Sequence, residues 1–410
     1  MKRCLKLFLG LFSLCILVVM GLIGYADLKI EDKYYVESFD NLSVSASLPI
    51  NYSFKEVSQN VDYSTNSGNK KDVVFKLFGI FPINTANVTL RERKTVDLMG
   101  TPFGIKLYTD GVLVVELTDF ETNNGKCCPA EEAGLKMGDY ITKIGDTKIT
   151  SNKQIERIVD KCEGKALKVY YCRDSIDYET NIIPILSEED NKYHIGVWVK
   201  DSSAGIGTLT FYDRENNVLA GLGHGLCDGE TGRLISVNTG AIVEAEILSA
   251  TKGEKHKTGE LNGRFINNYI STNLLNSNTG IYAEYSGEIN PFKTIEAAFK
   301  QEIIEGYAQV LITTNGTNPQ LYDCEITKIN SYNTQTKNFV ISITDGELLS
   351  LTGGIVQGMS GSPILQNGKL IGAVTHVLVD DPTKGYAIFA ENMLETAKSV
   401  AESNKLKDAS

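Results

Sequence analysis

Gly358-Met359-Ser360-Gly361-Ser362-Pro363 decides how the rest of this chain is read. A serine hydroxyl attacks only when a base takes its proton and its surroundings hold the geometry of attack. The loop answers the second need. Gly358, two residues before Ser360, lets the backbone turn so that the N–H groups of Gly358 and Ser360 aim at one point. An oxyanion formed there would be held by both. Pro363 stiffens the exit by fixing φ. Then come Ile364-Leu365, the hairpin turn Gln366-Asn367-Gly368-Lys369, and the buried strand Leu370-Ile371-Gly372-Ala373-Val374.

Strand, turn and strand directly after the nucleophile is the order expected of a chymotrypsin-like double β-barrel. The strand Gly372-Ala373-Val374-Thr375-His376 would then pair with extended substrate, placing Thr375 and His376 beside the subsites. A plain glycine-rich turn has the same composition, so the base must be found independently. The chain has four histidines. His224 sits in Gly221-Leu222-Gly223-His224-Gly225-Leu226-Cys227-Asp228, where glycines leave the imidazole uncrowded. His256 lies in a charged turn, His194 opens a strand, and His376 follows the nucleophile hairpin. His224 is therefore the expected general base. Cys227 is a weaker nucleophile candidate, because no oxyanion loop accompanies it.

A carboxylate is expected to orient the imidazole. Asp345, Asp228, Glu244, Glu246 and Asp323 all qualify by position. Chain order His…Asp…Ser favours Asp345. Its place only 15 residues before Ser360 does not suit an acid supplied from between two barrels.

A formal charge of −11 over 410 residues argues against nucleic acid and against anionic lipid bound by charge. That length predicts more than one domain. Lys2 and Arg3 precede an apolar run, Leu7 to Ile23, of 17 residues. The run is long for a signal-peptide core, so an uncleaved anchor with its N-terminus cytoplasmic is expected. The eight cysteines show no C-x-x-C spacing. No zinc site and no cofactor are expected, and a disulfide outside the cytoplasm stays open.

Residues 27–97 read as a β-containing linker region, with a flexible loop over Asn60–Asp72. Thr101 to Leu107 and Val112 to Thr118 read as strands. Pro129-Ala130-Glu131-Glu132-Ala133-Gly134-Leu135-Lys136-Met137-Gly138-Asp139-Tyr140-Ile141 reads as helix, turn and strand. Ser151 caps a helix to Cys162 that turns Ile155, Ile158 and Val159 to one side. This module resembles the PDZ domains of extracytoplasmic proteases. The resemblance implies capture of peptide tails in a groove between the strand at Gly104 and Ile105 and the Ser151 helix.

The whole order is module, His224 motif, Asp345, then Gly354-Ile355-Val356-Gln357-Gly358-Met359-Ser360-Gly361-Ser362-Pro363-Ile364. With Ala204-Gly205-Ile206-Gly207-Thr208-Leu209-Thr210-Phe211 and Ile371 to His376, it resembles the stage IV sporulation protein B peptidases. That resemblance implies a mainly β chain: anchor at 1–26, linker at 27–97, PDZ domain at 98–180 and serine peptidase at 185–400. It implies a triad of His224, Asp345 and Ser360. It also implies secretion from the forespore into the intermembrane space, self-cleavage in trans, and cleavage of a membrane-bound regulator of an intramembrane protease. A general envelope quality-control protease and a non-catalytic PDZ scaffold are the rival readings. The first usually carries its PDZ domain after the protease. Intact His224 and Ser360 weigh against the second.

Overall fold

The computed structural model describes residues 2–27, 30–42, 48–55, 69–123, 125–173, 176–227, 232, 234–235, 239–272, 274–285, 290–330 and 335–408. The chain opens on a single apolar helix, Lys2–Asp27. Its Leu9–Asp27 stretch has a mean hydropathy of 2.3 and is almost wholly exposed. Next comes a four-stranded sheet whose strands lie in the order Lys33–Val36, Phe81–Leu90, Lys70–Leu77, Ile50–Phe54. Along Lys70–Leu77 every second residue turns inward, so Val73, Phe75 and Leu77 are fully buried. Val73 and Phe75 pack with Tyr34, Val36, Ala86 and Val88. Of the loop expected over Asn60–Asp72, residues 60–68 lie outside the described residues, and Lys70 to Asp72 are already strand.

Two long antiparallel strands, Pro102–Leu117 and Val197–Asp213, organise the rest. Their outer halves pair Val197–Lys200 with Leu113–Leu117 and carry the PDZ-like unit. In that unit Gln154 Oε1 accepts the N–H groups of Thr150 and Ser151, fixing the start of the helix Asn152–Lys161. Ile155 and Val159 turn into a core with Val112, Ile141, Val169 and Ile195. The expected helix face is therefore the observed one.

The inner halves lie in the peptidase. Residues Pro102–Tyr108 pair with Ser202–Thr208 on one side, and Phe103–Tyr108 pair with Thr239–Glu244 on the other. Thr95–Leu98 pairs with Phe211 and Tyr212. This sheet curls around Phe103, Ile105, Leu209, Leu219, Leu222, Ile242 and Ile281. The expected boundary at residue 98 thus falls among strands of the peptidase sheet. The PDZ-like unit hangs between two strands of that sheet instead of preceding it.

The second half closes a barrel of six strands: Gly306–Ile312, Gln320–Ile329, Phe339–Ile343, Asp381–Phe389, Lys369–Leu378 and Pro363–Gln366. Its core holds Val310, Ile341, Phe339, Ile364 and Val374. The turn Asn367-Gly368 has φ of 51° and 75°, the double positive φ that a two-residue hairpin requires.

Candidate active site

The nucleophile loop is pressed between the two halves of the peptidase. Thr208 N–H donates to Ser360 O at 2.9 Å, and Thr208 Oγ1 donates to Gly358 O at 2.9 Å. Thr210 Oγ1 donates to Gly361 O at 2.7 Å. The first sheet therefore grips three backbone carbonyls of the nucleophile loop, those of Gly358, Ser360 and Gly361. Gly361 has φ +95°, and a Cβ there would lie 2.0 Å from Thr208 O. Only glycine fits so tight a contact at that φ.

The loop's own N–H groups divide into two sets. Those of Gln357, Met359, Gly361 and Ser362 donate to Gly259 O, Val356 O, Val374 O and Met359 O. Those of Gly358 and Ser360 have no acceptor among the described residues. They are the two groups the sequence pattern aims at an oxyanion. Ser360 itself is half-buried, and its Oγ donates to Thr375 O at 2.8 Å. Ser362 is fully buried.

His224 reaches the same place from the first sheet. Leu222 and Gly223 both adopt positive φ, 65° and 69°, which swings the chain toward the barrel. A Cβ on Gly223 would meet Ile388 Cγ2 at 3.0 Å and Thr375 Cγ2 at 3.1 Å. His224 Nδ1 donates to Gly225 O at 2.9 Å. That bond leaves Nε2 as the basic nitrogen. The His224 ring lies 4.6 Å from the His376 ring, centroid to centroid. Burial lowers the His224 pKa, against a smaller raising effect of the Gly225 carbonyl. Burial, then the His224 and Lys337 charges, push His376 down to about 4. Both rings are held neutral near pH 7.

The Ser360 hydroxyl thus meets the carbonyl of Thr375, and the His224 ring lies beside the ring of the next residue, His376; two details differ from the sequence expectation. Thr375 is buried, and its hydroxyl bonds to Thr336 O and Tyr386 O. It offers the site a carbonyl, not a side chain. The strand meant to pair substrate is flanked on both sides through Ala373, by Pro363–Gln366 and by Asp381–Phe389. An edge on the Ser360 side opens only from Thr375 onward.

Asp345 is not with them. It is the N-cap of the helix Gly346–Thr352: Oδ1 accepts Glu347 N–H at 2.9 Å and Leu348 N–H at 3.0 Å. Its own N–H donates to Asp323 O at 3.0 Å, which ties it to the neighbouring strand. His376 is opposite Tyr386, and Tyr386 is opposite Val340. Asp345 lies on the order of 15 Å of extended chain beyond that level. The correction has a plain cause. Thr344-Asp345-Gly346-Glu347 carries a cap signal as strong as any acid signal. The other carboxylates are engaged too: Glu246 with Arg264, Glu244 with Asn268, Asp323 with Tyr307 and Gln309. Asp228 lies outside the described residues. Among the described residues the third partner of His224 is the Gly225 carbonyl, with the His376 ring against its face.

Gly104 and Ile105 also need correction. Both are inside the peptidase sheet, paired on either side with Gly205-Ile206 and Ile242-Val243. A Cβ on Gly104 would lie 2.5 Å from Phe265 Cδ1 and 2.7 Å from Val243 Cγ2. The cleft of the PDZ-like unit is elsewhere. It has a volume of about 610 Å³, within the range of small-ligand sites. Ile155 and Val159 of the helix form one wall, and Tyr193 to Val199 form the other. Among the described residues Val197–Lys200 pairs with one strand, and its other edge is open toward the helix. The signal was present in the sequence. Tyr193-His194-Ile195-Gly196-Val197 has the same apolar–Gly–branched form as Phe103-Gly104-Ile105. Asp119, Cys128 and Glu131 bring ligand atoms within 4.8 Å of one another. Burial raises the Cys128 thiol pKa, and its Sγ donates to Gly196 O, so this group is poorly set to hold a metal.

Residues 191–394 match the family model of the SpoIVB peptidase S55. A serine protease Do-like HtrA of Lactococcus lactis is 26% identical over 30% of this chain, which spans 39% of that relative's length. The crystal structure of the PDZ domain of an SdrC-like protein from Listeria monocytogenes covers 22% of this chain and 90% of its own. It is 22% identical, with a TM-score of 0.19. The matched segment contains His224, Ser360, the clamp at Thr208 and the whole closed barrel, and through it the chain belongs to the SpoIVB peptidase S55 family.

Proposed function

We propose that this chain is a membrane-anchored extracytoplasmic serine endopeptidase in which Ser360 is the nucleophile and His224 the general base. His224 Nε2 takes the Ser360 proton as Oγ attacks the scissile carbonyl carbon. The carbonyl oxygen becomes an oxyanion held by the N–H groups of Gly358 and Ser360. Protonated His224 then gives its proton to the leaving amine, and water repeats the cycle on the acyl-enzyme. The observation that carries this reading is the pair of unengaged N–H groups in a loop whose other donors are taken.

The apolar N-terminal helix supports anchoring, with the catalytic body on the far side from Lys2 and Arg3. The cleft between Ile155 and Val199 is the proposed docking place for peptide tails, added as a strand to the open edge of Val197–Lys200. Family membership supports a sporulation role: self-cleavage in trans, then cleavage of a membrane-bound regulator of an intramembrane protease. Anchored copies meet at high effective concentration, which favours the trans reaction.

A fluorophosphonate probe tests the site. Wild type should label on Ser360, while Ser360→Ala should stay folded, unlabelled and uncleaved. Labelling of Ser360→Ala at the wild-type rate would end the assignment. Mixing a tagged Ser360→Ala chain with wild type tests self-cleavage, since only a trans reaction cuts the tagged copy.

A further inference from the structure

The sheet next to the N-terminal helix ends in a turn that is apolar where a soluble turn is polar. Leu77-Phe78-Gly79-Ile80-Phe81 joins its two longest strands. Phe78 and Gly79 take φ of 54° and 72°, a tight reversal that throws the side chains outward. Phe78 is 49% exposed, Ile80 72% and Phe81 39%. Pro49, whose carbonyl accepts the Phe78 N–H, is exposed beside them. From Leu77 to Leu90 the chain carries no charged residue, and Lys76 marks the base of the turn.

The turn also lies on the side from which the N-terminal helix arrives. Lys33–Val36 runs parallel to Phe81–Leu90 and occupies its edge from Asn87 to Leu90. The helix packs against the same strand, and its last turn buries Ala26. With Asn87 to Leu90 covered, that contact falls toward the Phe81 end, the end that carries the turn. From Asn87 to Phe81 is roughly 20 Å of strand. A body held by a helix emerging from a bilayer therefore presents this turn to the same bilayer.

We propose that Phe78, Ile80 and Phe81 insert into the leaflet from which the N-terminal helix emerges, giving the chain a second, non-covalent membrane attachment. The proposal rests on the anchoring reading above. Large apolar side chains at a turn, with a lysine one step behind, match the boundary between acyl chains and headgroups. One helix tethers a body and leaves it free to swivel. A helix and a turn together fix which face looks at the membrane.

Tryptophan fluorescence separates the outcomes, because Trp198 is the chain's single tryptophan. The full chain carrying Trp198→Phe is reconstituted in phosphatidylcholine–phosphatidylglycerol vesicles with bromines placed shallow or deep on the acyl chains. Leu17→Trp reports the helix, Ile80→Trp the turn, and Tyr178→Trp a remote exposed strand. The expected result is deep quenching for Leu17→Trp, at least two-fold shallow quenching with a blue shift for Ile80→Trp, and none for Tyr178→Trp. Quenching of Leu17→Trp alone, with Ile80→Trp open to aqueous iodide, overturns the proposal and leaves the anchor standing. Absence of quenching at both positions overturns both. Protection of Ile80→Trp that disappears as the protein-to-lipid ratio falls would make the occupant a second copy, and also overturns it.

Discussion

The proposed peptide cleft and the proposed catalytic cleft are built from opposite ends of one strand, Val197–Asp213, and the ends are treated differently. At Val197–Lys200 one edge is paired and the other is left open beside the helix Asn152–Lys161. At Thr208 and Thr210 backbone and side chain are committed to Ser360, Gly358 and Gly361. An open edge recognises by accepting a new strand. A committed edge serves catalysis by fixing donors before charge develops. One strand thus carries a site that must remain incomplete and a site that must be complete in advance. The comparison can be broken by cutting the strands apart or sharpened by editing single contacts.

Cutting has the largest expected effect. A fragment of residues 185–410 retains His224 and Ser360 but loses Thr95–Leu117. That segment supplies the strand between Ser202–Thr208 and Thr239–Glu244. The fragment should fail to fold into an active peptidase, shown by absent probe labelling and broad amide NMR signals. Sequence alone favours the opposite result, because the module reads as separable. Full labelling of the fragment would show that the first sheet closes without Phe103 and Ile105. Gly104→Val should act in the same direction, through collision with Phe265 and Val243, and should lower Tm without touching the peptide cleft.

Editing the clamp is gentler. Thr208→Val keeps the backbone bond to Ser360 O and removes the hydroxyl bond to Gly358 O. A single hydrogen bond contributes about 1 kcal/mol net. If it is needed only as the oxyanion forms, kcat should fall about five- to ten-fold with KM unchanged. A rise in KM at constant kcat would mean that Thr208 orders substrate, not the oxyanion loop.

What the sequence revealed follows from how local each signal is. The nucleophile loop, its hairpin and the capped helix at Ser151 are each fixed within about ten residues, so glycine, turn and cap chemistry were enough. The pairing of residues 102–108 depends on strands at 202–208 and 239–244, and nothing in Phe103-Gly104-Ile105 announces that partner. The choice between that stretch and Ile195-Gly196-Val197 was likewise a question of tertiary position. Asp345 shows a third case. A short acidic turn before a helix satisfies cap and triad patterns equally, and only the carboxylate's partners decide.

The smallest effects concern the carboxylate partner that His224 lacks among the described residues. A facing acid would raise the His224 pKa, whereas burial here lowers it from its usual 6.5. The base is active when neutral, so the acid limb of kcat/KM should lie below pH 6.5. The sign for stability agrees. Neutral rings are favoured in the fold, so this stability is complete above about pH 6.5 and is lost as the pH falls toward about 4, the His376 value. Asp345→Asn should hardly move either profile, because asparagine caps a helix as well as aspartate does. Asp345→Ala should cost about 1 kcal/mol of stability by leaving Glu347 and Leu348 N–H groups uncapped, with kcat of the folded enzyme within two- to three-fold of wild type. If Asp345→Asn instead lowers kcat by orders of magnitude while Tm holds, and the acid limb moves with it, then substrate binding draws Asp345 to His224. The carbonyl of Gly225 would in that case orient the base only in the resting enzyme.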